Sequence, residues 1–164
     1  LPNNKNIVAV AEQVDGETAK SVRVVPTTCV PEGFAALLSY DPEGEVDENA
    51  ASMSAAISGV VAGEVTLAVR DSTSEAGPIT AGDAIGLTRG KVCVVRPAVG
   101  DALVALLDEL VRDDHELVTL IVGEDADPRD TETAQTWLNE HRPDAEVEIH
   151  AGGQPLYPFY VGVE

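Results

Sequence analysis

The sequence has few basic residues and no long apolar run. It contains 10 Lys and Arg against 29 Asp and Glu, which gives a net charge of −19. Such a surface repels the phosphates of nucleic acids and the anionic head groups of lipids, so both are disfavoured as partners. No apolar segment approaches the about 20 residues that a membrane-spanning helix needs, and we therefore expect no membrane span.

Cysteine and aromatic residues are also scarce. The two cysteines, Cys29 and Cys93, lie in apolar or strand-like surroundings. This is typical of reduced core cysteines in a cytoplasmic protein, although the sequence alone leaves a disulfide open. Aromatic residues make up 4% of the chain and apolar residues 44%, so the core must consist of Val, Leu, Ile and Ala. The acidic residues are spread along the chain, which favours a solubility or salt-adaptation trait over an acidic interaction tail.

The signatures of common catalytic classes are missing. There is no Gly-x-Ser-x-Gly, no Cys-x-x-Cys and no His-Glu-x-x-His. Gly86 and Gly90-Lys91 resemble a phosphate-binding loop, but the spacing is one residue short and Val92 replaces the metal-binding hydroxyl. A hairpin turn between two strands is the favoured interpretation of this segment.

What is present is the alternation of helical and strand-like periodicity that is typical of an α/β protein. The spacing of apolar residues predicts helices over 5–14, from Pro31, over 46–57, over 98–112 and after the capping residue Asp127. Strands are predicted over 22–25, 64–69, 84–87, 92–95, 117–122, 145–149 and 156–163, with a loop over 71–83. Pro158 favours an edge position or a bulge for the last strand.

A shift in sequence texture near residues 60–64 predicts a boundary between two lobes. Residues 1–62 are expected to form the C-terminal part of an α/β layer. Residues 63–164 are expected to form a second α/β lobe with a mixed or parallel sheet flanked by helices.

Polar residues at predicted strand ends are the candidate binding residues, in two patches. The first patch comprises Asn3, Asn4, Asn6, Thr27 and Thr28, and the second comprises Arg70, Asp71, His150 and Gln154. The asparagines could bind an anion at a helix N-terminus, or Asn4 could simply cap that helix. His150 lacks a Ser or Cys partner, which favours a structural role over a catalytic one.

An acidic loop follows the predicted strand over 117–122. Its Glu124, Asp125 and Asp127 could bind Mg²⁺ or Ca²⁺, but the helix cap already accounts for Asp127. We therefore expect no metal site and no catalytic residue in this chain.

Several motifs occur in an order that resembles one protein family. They are Pro2-Asn3-Asn4-Lys5-Asn6-Ile7, Pro26-Thr27, Gly33-Phe34-Ala35-Ala36-Leu37-Leu38, Ala68-Val69-Arg70-Asp71, Gly123-Glu124-Asp125 and the segment from Glu148 to Tyr157. Together they resemble the C-terminal domain of bacterial dihydroxyacetone-kinase-like proteins, the group that includes the kinase subunit of fatty acid kinase. The resemblance covers residues 1–164.

The resemblance implies a fold distantly similar to that of DegV-type fatty-acid-binding proteins, with an α/β layer and a second β-rich lobe. It implies that ATP and magnesium bind to a separate N-terminal kinase domain, and that the chain lacks the strands that open the family's domain. It also implies that a DegV-type subunit carries the fatty acid and docks here. Some members are called Dak phosphatases, but no residue pattern here supports a phosphatase mechanism.

The leading hypothesis is a non-catalytic partner-binding domain of a fatty-acid-kinase-like protein. One alternative is a metal-dependent phosphatase or phosphotransferase that uses Asp71, His150 or the acidic loop. Another is a regulatory module that binds an acyl chain or a metabolite. The sequence leaves homodimer formation and the identity of the acyl chain open.

Overall fold

A computed structural model describes all residues of the chain, Leu1–Glu164. They form two compact units, Leu1–Val60 and Val61–Glu164. The two units have different secondary structure and are described one after the other.

The first unit is helical. It contains helix α1 (Lys5–Ala11), helix α2 (Val30–Leu38), helix α3 (Val46–Ala56), and two short 3₁₀ helices over Glu12–Glu17 and Ile57–Gly59. The predicted strand over 22–25 is wrong, because these residues join no ladder. A strand needs a neighbouring strand for its backbone hydrogen bonds, and residues 1–60 supply none.

The core of the first unit is small. Val25, Ala36 and Met53 are buried, and Ile57 packs against them. Helix α1 has no buried residue at all. Of the twelve exposed large apolar side chains in the chain, nine lie in this unit: Leu1, Ile7, Val10, Val14, Phe34, Leu37, Leu38, Tyr40 and Val46. A core of this size contributes little to the stability of a 60-residue unit.

The second unit contains a six-stranded mixed sheet and two helices. Its elements are β1 (Val61–Leu67), β2 (Ser72–Ser74), β3 (Gly77–Ile79), β4 (Ala84–Thr88), β5 (Lys91–Arg96), α4 (Val99–Leu110), β6 (Leu117–Val122), α5 (Pro128–His141), β7 (Glu146–Ala151) and β8 (Phe159–Val163). The strand order is β5-β4-β1-β8-β6-β7, with β2 and β3 in a separate ribbon. The predicted α/β class with a mixed sheet flanked by helices is confirmed.

The directions of the strands define one functional edge of this sheet. Only β6 and β7 are parallel neighbours, and every other pair is antiparallel. Strands β1, β5, β6 and β7 consequently run one way, whereas β4 and β8 run the other way. We call the edge where those four strands end the carboxyl edge. The loops 68–71, 80–83, 123–127 and 152–158 lie there.

The core of the second unit lies between the sheet and helix α4. Leu103, Leu106 and Leu107 of α4 are fully buried, as are Phe159 and Val161 of β8. Each fully buried Leu contributes about 1.5–3 kcal/mol relative to an exposed one. Close packing depends on Gly63, because a Cβ there would lie 2.6 Å from a methyl group of Leu110.

The last strand corrects a prediction about Pro158. We expected an edge strand or a bulge, yet β8 lies inside the sheet, between β1 and β6. Pro158 precedes the first residue of β8, so its missing N–H removes no ladder hydrogen bond. Its carbonyl accepts a hydrogen bond from the Gly123 N–H at 2.9 Å.

Candidate functional site

The loop after β1 is braced on both sides of Val69. The Ala68 N–H donates to the Asp83 carbonyl at 2.8 Å, and the Ala68 carbonyl accepts from the Gly82 N–H at 2.8 Å. The Asp71 carboxylate accepts from the Ala81 N–H at 2.8 Å. Asp71, a predicted site residue, therefore joins two loops of the carboxyl edge, while its neighbour Arg70 is exposed.

The loop before β8 is held by Gln154, another predicted site residue. The Gln154 side-chain amide donates to the carbonyls of Ile121 and Tyr157, at 3.0 and 3.1 Å. The Gln154 carbonyl accepts from the Glu124 N–H at 3.1 Å. One glutamine thus ties its own loop to β6 and to the acidic loop that follows β6.

Leu156 in the same loop has an unusual backbone conformation. Its φ is +69°, in the left-handed region that non-glycine residues rarely adopt. Its side chain is 75% exposed, and its carbonyl accepts a hydrogen bond from the Thr66 hydroxyl at 2.6 Å. That bond connects the loop before β8 to the end of β1.

Gly123 lets the acidic loop lie directly against this segment. A Cβ on Gly123 would be 2.4 Å from the Tyr157 carbonyl oxygen and 2.8 Å from the Gln154 carbonyl oxygen. Both neighbours are backbone atoms, so neither can move independently of its loop. Glycine is therefore required here for packing.

The N-termini of α4 and α5 also point to the carboxyl edge. Such termini often bind phosphate. Here Asp127 caps α5 by accepting the Arg129 N–H at 2.9 Å, and Asp130 accepts a hydrogen bond from the Gly100 N–H of α4. Both helix ends are thus occupied by carboxylates of the chain itself.

The two capping carboxylates have opposite electrostatic settings. Hydrogen bonds from Arg129 lower the pKa of Asp127 to about 2. Burial, reinforced by the charge of Asp127, raises the pKa of Asp130 above its ordinary value. Neither setting provides a free base aimed at open space.

His150 lies apart from the other members of the second predicted patch. It is on β7 at the end of the sheet, exposed, with its Nε2 atom 3.1 Å from the Glu148 carboxylate. Three strand steps separate β7 from β1, or about 14 Å at the usual strand spacing. Arg70, Asp71, His150 and Gln154 share an end of the sheet but form no single cluster.

The first predicted patch is partly assembled by structural hydrogen bonds. The Asn4 side chain caps α1 by accepting the Asn6 N–H at 2.8 Å, and the buried Thr27 hydroxyl donates to the Pro2 carbonyl. The N–H and hydroxyl of Thr28 donate to the Glu32 carboxylate at 2.6 and 2.9 Å. Asn3 and Asn6 are exposed. Thr27 thus places residues 25–28 beside residues 1–3.

Metal-ligating side chains do not converge anywhere in the chain in groups of three or more. Glu124 and Asp125 are exposed at the carboxyl edge, and Asp127 is engaged with Arg129. None of the helices has the length and apolar character needed to cross a bilayer.

Three residues of the carboxyl edge were missed by sequence reasoning: Thr66, Val69 and Leu156. Thr66 gives no sequence signal, because its bond to Leu156 spans 90 residues. Val69 and Leu156 do give one, since each is a large apolar residue within an otherwise polar loop.

Comparisons with known proteins agree with this architecture. Residues 1–164 match the FakA-like family, described as a C-terminal domain of fatty acid kinase. An uncharacterised protein of Staphylococcus aureus strain MRSA252 is 37% identical over 164 residues, which are 100% of this chain and 30% of that protein. A second uncharacterised protein, from the bovine strain RF122 / ET3-1, is 36% identical with the same coverage. The chain thus spans less than a third of the length of these relatives.

A solved structure shows the same fold at low sequence identity. It is a protein of the DegV family from Ruminococcus gnavus ATCC 29149, described with vaccenic acid. The TM-score is 0.53 at 12% identity, and the match covers 98% of this chain and 66% of that chain. The resemblance to DegV-type proteins inferred from the sequence motifs is confirmed at the level of the fold. With its full length matched, the chain belongs to the family of FakA-like C-terminal domains of fatty acid kinase.

Proposed function

We propose that this domain is a non-catalytic partner-binding domain of a fatty-acid-kinase-like protein in the cytoplasm. In this proposal a DegV-type protein carries the fatty acid and docks on the domain. A separate N-terminal kinase domain binds ATP and magnesium and phosphorylates the acyl group.

One observation carries the proposal: the polar groups at the carboxyl edge are used to hold loops and helix ends in place. Asp71 braces the loop after β1, Gln154 ties three segments together, and Asp127 and Asp130 occupy the two helix N-termini. A catalytic centre needs a base or nucleophile within reach of a substrate atom. A rigid set of loops without such a group suits recognition of another protein.

Isothermal titration calorimetry tests this function. A DegV-type protein loaded with a fatty acid is titrated into the 164-residue chain, whose folding is checked by circular dichroism. We expect saturable heat at one partner per chain and no turnover of ATP or of a phosphate ester by the chain alone. A folded chain that gives no heat with loaded partner would contradict the proposal.

A second candidate is direct binding of an acyl chain. It is favoured by one observation in the first unit, a surface pocket of about 370 Å³ whose apolar lining includes Val22, Val25, Val46 and Met53. Titration of free fatty acid into the same chain separates the two functions. Heat with free fatty acid and none with loaded partner would favour this candidate.

The phosphatase alternative finds no support in the arrangement of side chains. It needs several carboxylates or histidines around one metal ion or one phosphoryl group. His150 on β7 is three strand steps from β1, after which Asp71 lies, and Asp127 is paired with Arg129.

A further inference from the structure

The exposed apolar side chains of the second unit are concentrated at one place. Residues 61–164 expose three large apolar side chains, Leu67 at 48%, Val69 at 92% and Leu156 at 75%. Leu67 ends β1, Val69 follows it, and Leu156 precedes β8, the neighbour of β1 in the sheet. All three therefore lie at the carboxyl edge, and we call them the apolar tip.

The apolar tip is presented by backbone that is held in place. Hydrogen bonds of Ala68 and Asp71 flank Val69 on both sides. The Thr66 hydroxyl holds the Leu156 carbonyl, and it thereby joins the two loops that carry the tip. Loops fixed in this way lose little conformational entropy when a partner binds.

Leu156 is a costly residue for this position. Its positive φ would suit Gly or Asn, and its side chain gains little burial in the chain as it stands. Strained residues that the surrounding structure holds in place are concentrated at functional sites. Strain, exposure and rigid presentation together point to contact with another molecule.

We propose that the apolar tip is the contact surface for the acyl-carrying DegV-type protein, an inference that rests on the proposed function. Arg70 and Asp71 beside Val69, with Glu124 and Asp125 on the neighbouring loop, supply charges of both signs around it. An apolar centre with a polar rim is the usual anatomy of a protein interface. The partner's matching surface is therefore an apolar socket whose rim carries both a cationic and an anionic group.

The other occupants fit less well. A free acyl chain needs a concave pocket, whereas side chains exposed at 92% and 75% protrude. An anionic membrane and a second copy of this chain are both disfavoured by the net charge of −19.

The test compares a double variant with a matched control in the same calorimeter. Val69→Thr keeps the branched shape and Leu156→Asn tolerates the positive φ, so the pair removes apolar contact while preserving the fold. Leu38→Asn makes the same change at a leucine that is 88% exposed in the first unit. We expect the double variant to weaken binding of the loaded partner at least about tenfold and the control to leave it unchanged.

The outcomes separate this inference from the proposed function. If wild type binds and the folded double variant binds equally well, the apolar tip is not the contact surface and the proposed function stands. If the control weakens binding as much as the double variant does, the contact is not specific to the tip. If folded wild type does not bind the loaded partner at all, the proposed function fails and this inference fails with it.

Discussion

Replacement of Leu156 by glycine or alanine tests whether the left-handed backbone of this residue is a real cost. Both variants remove the apolar side chain, which is only a quarter buried, so both lose the same small burial energy. They differ in how well each residue tolerates a φ of +69°. The difference between them therefore isolates the backbone term.

The magnitude follows from two opposing contributions. The left-handed conformation costs a non-glycine residue about 1–2 kcal/mol. Glycine loses about 0.5–1 kcal/mol relative to alanine, because its unfolded chain is more flexible. We therefore expect Leu156→Gly to be more stable than Leu156→Ala by about 0.5–1 kcal/mol.

The assay is thermal unfolding followed by the fluorescence of Trp137, the single tryptophan in the chain, which lies in the second unit. For a domain of about 100 residues the expected difference corresponds to roughly 2–6 °C in Tm. Gly33 is the matched control, because it lies inside α2 without a positive φ, and a Cβ there would have nothing within 4 Å. There Gly33→Ala should raise stability, the opposite order of the two residues. If Leu156→Ala is as stable as Leu156→Gly or more so, the argument from backbone strain is refuted.

Two further predictions concern the loops and helix ends of the carboxyl edge. Gly123→Ala should lower the free energy of unfolding by about 1–3 kcal/mol in urea denaturation, because its Cβ meets two carbonyl oxygens; Gly59→Ala, with open space around it, should be neutral, and equal effects would contradict the packing argument. Asp127→Asn and Asp130→Asn should change the acid dependence of Tm in opposite senses. The stabilisation from Asp127 is present above the ordinary pKa of 3.8 and is lost as pH falls through about 2, so Asp127→Asn should flatten that acid loss. The raised pKa of Asp130 means that stability falls as pH rises from 3.8 through the raised value, so Asp130→Asn should reduce that decline. Parallel changes in the two Tm profiles would show that the assignments are wrong.

Local sequence signals predicted much of the secondary structure. Helix α5 begins where Asp127 and Pro128 indicate, and the β4–β5 hairpin turns at Arg89-Gly90 as expected. Asp127 can be read as a cap because it and the N–H it accepts lie two residues apart. Such short-range chemistry is visible in a single sequence.

Features that depend on distant partners could not be predicted. The segment over 22–25 has the composition of a strand, but no neighbouring strand exists in residues 1–60 to pair with it. The β2–β3 ribbon was missed because Ser, Thr, Gly and Pro dominate its two short strands. Gln154 was chosen for its place after a strand, and its real partner Ile121 lies 33 residues away.

The interior position of β8 has a consequence for the order in which the second unit folds. Residues 159–163 join β1 to β6, so without them the sheet divides into β5-β4-β1 and β6-β7. During synthesis both parts emerge from the ribosome first, each with an unpaired edge that can pair wrongly with other chains. The sheet closes only when its last strand arrives, and folding of this unit must therefore follow, rather than accompany, its translation.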